Sequence, residues 1–169
     1  MPADTPASGA AAGADARTPA ELARLAHDAV EYMKVRYGDP IYGANLLAPL
    51  RGVTVDFKTR TLVMAMEVPG WMLNSHKTMH GGAIMTLLDS CTSFAAGFFD
   101  PRAAQSMSVG VDIQFVAAPR EGETVHLHCT ANRVGGRLCF STFRLTKPAD
   151  DQFIFAKGSH TKYIVKPKL

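Results

Sequence analysis

Between Gly81 and Phe99 the chain runs through aliphatic, aromatic, hydroxyl-bearing and small side chains with a single ionisable acid or base, Asp89. No other feature limits the fold as much, because a helix that is apolar on most of its surface must be surrounded by protein or by lipid. Ile84, Leu87, Leu88, Cys91, Ala95 and Phe98 recur at helical spacing as one apolar stripe. Met85, Thr86, Asp89, Thr92, Ser93 and Ala96 form the opposite side, which is small or mildly polar. The first side predicts a sheet to lie on, and the second predicts a cover supplied by another subunit or a ligand. Lipid fits poorly, since the hydroxyls, two opening glycines and a central carboxylate all oppose insertion. A carboxylate inside a buried helix gives up hydration worth several kcal/mol, so Asp89 is either tied to neighbouring hydroxyls as a structural group or held there for chemistry.

The flanking segments supply that sheet. Thr18 followed by Pro19 and Glu21 reads as a helix start with a capping box, and the helix runs to about Arg36 or Tyr37, with Gly38 as C-cap and Pro40 blocking continuation. Leu22, Leu25, Ala26, Ala29, Tyr32 and Met33 give it one apolar face. Val53–Val55 and Leu62–Met66, separated by Lys58-Thr59-Arg60, read as a hairpin. Beyond the apolar helix come four strand-like runs, Ser108 to Val116, Thr124 to Val134, Leu138 to Leu145 and Phe153 to Val165. Pro119 to Gly122, Gly135-Gly136 and Pro148 to Asp151 break them as turns. Four strands in a row with short turns are most simply antiparallel, and the whole order argues for an α+β class.

A length of 169 residues matches one domain, here 19–169, preceded by an Ala-, Pro- and Gly-rich tail over 1–18 that reads as disordered. With 47% hydrophobic and 20% charged residues, the bulk of the chain is composed like an ordinary folded protein. The formal charge of +3 is spread without the basic, aromatic-interleaved stripe that nucleic-acid binding needs. Cys91, Cys129 and Cys139 form no CxxC pair, and the first residues lack a charged segment followed by a leucine-rich one, so a cytoplasmic protein is expected.

His80-Gly81-Gly82 opens the apolar helix, where free backbone N–H groups and the helix dipole favour negative charge and two glycines allow close approach of a ligand. The whole segment from Asn74 through His80, Gly81, Gly82 and Asp89 to Ser90 resembles the signature of hot-dog-fold thioesterases, in particular the phenylacetate-pathway type within the 4-hydroxybenzoyl-CoA thioesterase superfamily. Ser108-Val-Gly-Val-Asp-Ile-Gln-Phe115 resembles the strand that brings a Ser or Thr near the acid, and the likeness covers roughly residues 45–165. The resemblance implies a hot-dog fold, an antiparallel sheet wrapped around a long central helix, in a homodimer or a homotetramer with active sites at subunit interfaces. It implies hydrolysis of an acyl-CoA thioester, with coenzyme A only as part of the substrate and no separate cofactor or metal. Asp89 would attack the thioester or activate water, Ser108 would hydrogen-bond the attacking group, and the Gly81 N–H would polarise the carbonyl. Asn74 and His80 would orient the other side of the reaction centre, with Gly82 beside the substrate.

Asp89 stands about 12 Å beyond Gly81 along a helix rising ~1.5 Å per residue, so the two are expected to meet one carbonyl only from different chains. Two departures from the family pattern stand out. Ser75-His76-Lys77 replaces a more usual Gly-containing loop, and the turn Ala117-Ala118-Pro119 is one residue longer. Arg133 and Arg137 flank the Gly135-Gly136 turn and could meet coenzyme A phosphates, although turn arginines are commonly just solvated. His126 and His128 share a strand face without a third metal ligand and read as exposed strand histidines, while Cys91 reads as a packed thiol. His160 is given no role. A hot-dog hydratase or dehydratase, and an acyl-CoA sensor without turnover, are the competing readings.

Overall fold

A computed structural model describes residues 15–37 and 42–165; the expected C-cap at Gly38 and the proline at 40 lie outside the described residues, as does most of the 1–18 tail. Helix α1 spans Pro19–Arg36 and opens with the expected capping box, Thr18 accepting from the Glu21 N–H while the Glu21 carboxylate accepts from Thr18. Just before it, the Arg17 guanidinium sits 4.3 Å over the Phe57 ring. Buried positions in α1 are Ala26, Ala29, Val30 and Met33. The apolar face is therefore turned toward Val30, and Tyr32, expected to be buried, stays half exposed against Phe94. A short helix, α2, covers Ala44–Leu47.

The hairpin forms from β1 (Arg51–Asp56) and β2 (Thr61–Glu67). Helix α3 runs Gly81–Phe99. The His80 ring accepts the Gly82 N–H at 2.8 Å as its cap, and at the far end Asp100 closes the last turn before Pro101. Inside α3, Thr92 and Ser93 hydroxyls bond back to the carbonyls of Leu88 and Asp89, which keeps polar side chains satisfied within a buried helix. Then follow β3 (Ser106–Phe115), β4 (Thr124–Val134), β5 (Leu138–Lys147) and β6 (Asp150–Ile164). Strands β3 and β6 begin earlier than their apolar runs, at Ser106 and Asp150.

All pairings are antiparallel, in the order β1-β2-β4-β5-β6-β3. One feature differs from a simple succession of four strands: β3 pairs with β6, not with β4. The segment 116–123 carries the chain across the sheet to the β5-side of β2, where the Val68 N–H bonds the Glu123 carbonyl and the Met79 N–H bonds that of Pro119. The extra residue of the Ala117-Ala118-Pro119 turn is absorbed where the N–H groups of Val116 and Ala117 both reach the Phe155 carbonyl, at 2.8 and 2.9 Å.

The sheet curls around α3, whose Ile84, Leu87, Leu88, Cys91, Phe94 and Ala95 join one core with Leu62, Met64, Leu127, Cys129 and Phe143. Each fully buried Leu or Ile there contributes roughly 1.5–3 kcal/mol by leaving water. Thr92 and Ala96, placed by periodicity on the covered-by-a-partner side, are already buried within their own chain because β6 and the segment at Pro101–Ala104 reach round to them. Two glycines set how closely the layers approach. A Cβ on Gly52 would lie 2.1 Å from the Ala26 backbone, so α1 rests directly on β1, and a Cβ on Gly158 would lie 2.4 Å from the Asp112 carbonyl oxygen and 2.7 Å from Leu88.

Candidate active site

Asp89 sits midway along α3, its side chain about half exposed, and it is met from the sheet by Ser108, whose hydroxyl donates to Asp89 Oδ1 at 2.8 Å. Ser108 is aimed there by a break in β3. Ser108 pairs with Lys162 and Gly110 with Thr161, so one extra residue is inserted between them and the local strand face is re-set. Behind Ser108 stand two side chains of β6. His160 Nε2 lies 3.0 Å from Ser108 Oγ and 3.3 Å from Asp89 Oδ1, and its Nδ1 lies 2.7 Å from Thr92 Oγ1. The Lys162 ammonium donates to Ser108 Oγ at 3.1 Å.

The proton inventory of this cluster closes in one way around Ser108. Its hydroxyl has one proton, given to Asp89, and two lone pairs, which accept from Lys162 and from an Nε2–H on His160. That tautomer leaves Nδ1 to accept from the Thr92 hydroxyl, which lies 2.6 Å from the Leu88 carbonyl oxygen and is shared between the two. Burial, with the nearby Lys162 charge, pushes His160 down to about 4 against the pull of Asp89. The ring is therefore neutral near pH 7, and its 3.3 Å approach to Asp89 is the contact of a neutral ring rather than an ion pair. Burial also lowers Lys162 from its ordinary range, opposed first by Asp89.

The other half of the candidate site is built at the start of α3. Because His80 Nδ1 accepts the Gly82 N–H, a ring proton sits on Nε2, which meets no hydrogen-bond partner among the described residues. Gly81, the first helical residue, has an N–H that meets no acceptor among the described residues. The Asn74 side chain instead holds its own turn, accepting from the His76 and Thr78 N–H groups at 2.9 and 3.2 Å. Within that turn Lys77 takes φ = 61°, the left-handed conformation for which a glycine would be suited. An open pocket of about 400 Å³ adjoins this half, lined by Trp71, Met72, Leu73, His80, Ala83 and Thr86 among others.

The fold thus brings Asp89 and Ser108 together and gathers His80, Gly81, Gly82 and the Asn74 turn at a second place, with no contact between the two groups inside one chain. Arg133 and Arg137 are exposed at the β4–β5 turn. His126 and His128 are half-buried rather than exposed, their rings 6.2 Å apart, because β5 packs beside them and Thr146 hydrogen-bonds His128. Among the described residues no group of three His, Cys, Asp or Glu side chains is arranged to hold a metal ion. Cys91, Cys129 and Cys139 are free and buried.

His160, Lys162, Thr92 and the neighbouring Ser141 escaped the sequence reading as members of the site. A readable signal existed: Ala156, Gly158, His160, Lys162 and Ile164 alternate along one strand, so the apolar ends of that series place the His and Lys on the inward face.

Comparison with known proteins agrees with this architecture. The description "Thioesterase superfamily" matches residues 76–154. Mouse acyl-coenzyme A thioesterase 13 is 30% identical over 103 residues, which cover 61% of this chain and 72% of that protein. The chain belongs to the thioesterase superfamily. A Pseudomonas aeruginosa protein described as a candidate esterase is 29% identical over 86 residues, 51% of this chain, and the match spans 64% of its length. Among solved structures of the superfamily, mouse thioesterase superfamily member 2 superposes with a TM-score of 0.72 at 26% identity, over 83% of this chain and 98% of that one. The Escherichia coli protein of the phenylacetic acid degradation operon gives 0.64 at 18% identity, over 86% and 96%, a likeness of fold alone. The α+β hot-dog arrangement expected from the signature is the observed one.

Proposed function

We propose that this thioesterase-superfamily protein hydrolyses acyl-CoA thioesters to a carboxylic acid and coenzyme A, at sites shared between two copies of the chain. The observation that carries the reading is the Asp89–Ser108 pair at 2.8 Å, a half-exposed carboxylate on an otherwise buried helix, set against a free N–H at that helix's start. Relatives named for acyl-coenzyme A thioester cleavage support the substrate class.

In this reading Asp89, oriented by Ser108, takes a proton from water at its exposed side as the oxygen adds to the thioester carbonyl. The developing oxyanion points at the Gly81 N–H of the other chain, where the helix dipole adds to the hydrogen bond. Collapse breaks the C–S bond, and the sulfur leaves as a thiol after accepting the proton. Direct attack by the carboxylate, through an anhydride that water then opens, uses the same groups. His80 and the Asn74 turn orient the acyl group beside the pocket near Trp71, with Gly82 alongside, and Arg133 and Arg137 are offered as contacts for coenzyme A phosphates. Pairing of two chains is supported by β3, whose outer edge meets no described strand and whose Met107, Val109, Val111 and Phe115 are exposed. Buried free cysteines suit a reducing cytoplasm.

The test is thiol release, followed with a disulfide dye, from a panel of acyl-CoA esters for wild type and Asp89→Ala. Release that drops by two or more powers of ten in the variant is expected. Tight acyl-CoA binding with no release from any ester would replace hydrolysis by a sensing role.

A further inference from the structure

Beneath Asp89 the interior is polar. Thr92, Ser141, His160 and Lys162 are all buried, and Lys162, only 5% exposed, is an uncommon occupant for such a place. Its ammonium donates a hydrogen bond to Ser108, and the carboxylate that Ser108 serves is Asp89. Those two contacts, end to end, keep the ammonium within about 6 Å of the Asp89 oxygen. A buried lysine that merely filled space would be replaced without consequence by a methionine. One that points through a catalytic serine at a carboxylate has an electrostatic task available to it.

We propose that Lys162 is a positioning residue of the hydrolytic site: acting through Ser108, its ammonium keeps Asp89 anionic and aimed when substrate and partner chain cover it. The inference rests on the hydrolase reading given above. Asp89 is half exposed in a single chain, and any cover that removes its water favours protonation, which would abolish its use as base or nucleophile. A fixed cation behind it opposes that change.

The other groups around Lys162 do not substitute for it. From β6, His160 is neutral near pH 7. From β5, the Cys139 thiol faces the ammonium across the pair Cys139–Lys162, and burial raises that thiol so that it too is uncharged. From β3 comes only the Ser108 hydroxyl. Arg60 and Asp100, an opposite pair, are felt on the Cys139 side of the cluster. The ammonium and Asp89 are thus the two charges that face each other here. At ~6 Å their attraction is strongest on the buried side and is weakened by solvent at the exposed side of Asp89.

The experiment is the pH dependence of kcat/KM for a thioester that wild type turns over, from pH 4 to 9, in wild type, Lys162→Met and Lys162→Arg. Because acid also destabilises the fold, the folded fraction of each variant is read by circular dichroism at every pH and the rates are expressed per folded molecule. The acid limb of Lys162→Met is expected to move up, with its deficit greatest at low pH, and Lys162→Arg is expected to bring the limb back. A deficit of equal size at every pH overturns the proposal, as does an arginine variant no better than the methionine one. Wild type that releases no thiol removes the hydrolase reading itself, a failure distinct from unshifted limbs in an active enzyme.

Discussion

In the proposed two-chain site, the separation of Gly81 from Asp89 makes a quantitative demand. Eight residues of helix at ~1.5 Å each place the N–H and the carboxylate about 12 Å apart, whereas both must come within about 3 Å of the reacting atoms. The perturbation that isolates the first group is Gly81→Pro. Gly81 is the first helical position, where proline is well tolerated, and His80 before it already has φ −65° and ψ 133°, the extended region that a following proline prefers. A Cβ there meets only the Phe115 ring, at an ordinary 3.4 Å. The helix should survive while losing one N–H, at a cost of about 10²–10³ in rate. Asp89→Asn removes the other group by a similar or larger factor.

Each variant alone has only damaged sites. Co-expressed in equal amounts with different tags, they form mixed dimers in half of all pairings, and each mixed dimer holds one site with an intact Gly81 and an intact Asp89. The mixture should therefore recover about one quarter of wild-type activity and the tag-purified mixed dimers about one half, well above either parent. Thiol release on tag-purified mixed dimers, with native mass spectrometry confirming their composition, reads the result directly. Mixed dimers no more active than the parents would refute the two-chain site and require Gly81 and Asp89 to act within one chain or not at all.

Other perturbations test the scaffold. Lys77→Gly relieves a left-handed lysine and should raise stability by about 1 kcal/mol, seen as a higher urea midpoint without a change in slope. Gly158→Ala drives a methyl into the Asp112 carbonyl and Leu88, and a loss of about 1–3 kcal/mol is expected together with lower activity, because the β3–β6 pairing that aims Ser108 is what must yield. His160 makes stability depend on pH with a definite sign. Its folded value of about 4 lies below the ordinary 6.5, so the unfolded chain takes up the proton first as pH falls. Stability is fully present above about pH 6.5 and declines toward pH 4 by roughly 1.4 kcal/mol per unit, about 3 kcal/mol in all. His160→Gln should flatten that part of the urea-midpoint profile, and overlapping profiles would contradict the burial argument.

The parts of the fold that a one-dimensional pattern can carry were legible. The Thr18–Glu21 box, the hairpin and both ends of α3 follow from local chemistry that acts over three or four residues. The neighbours of β3 were not legible in that way. Short turns on either side of consecutive strands favour adjacency, yet the bonds from Val68 to Glu123 and from Met79 to Pro119 draw the chain across to β2, leaving β3 to find β6. Such a choice is made by contacts between residues some 40 to 60 positions apart, which periodicity does not report.

The candidate site divides along the same line, and the division has a physical cause. Asp89 and the His80-Gly81-Gly82 start were visible because a charge in an apolar run and a glycine pair before a helix are each anomalous where they stand. His160 and Lys162 look ordinary by comparison, a histidine and a lysine in a strand rich in polar residues, and become anomalous only once burial is known. Their burial in turn is set by α3, since the face of β6 that covers Thr92 has to carry whatever partners Thr92, Ser108 and Asp89 require. A polar helix face therefore predicts polar residues on the strand that covers it. Applied to α3, that rule asks for an inward pair spaced by two on one late strand, and His160 with Lys162 is the pair that meets it, bracketed at the same spacing by Gly158 and Ile164.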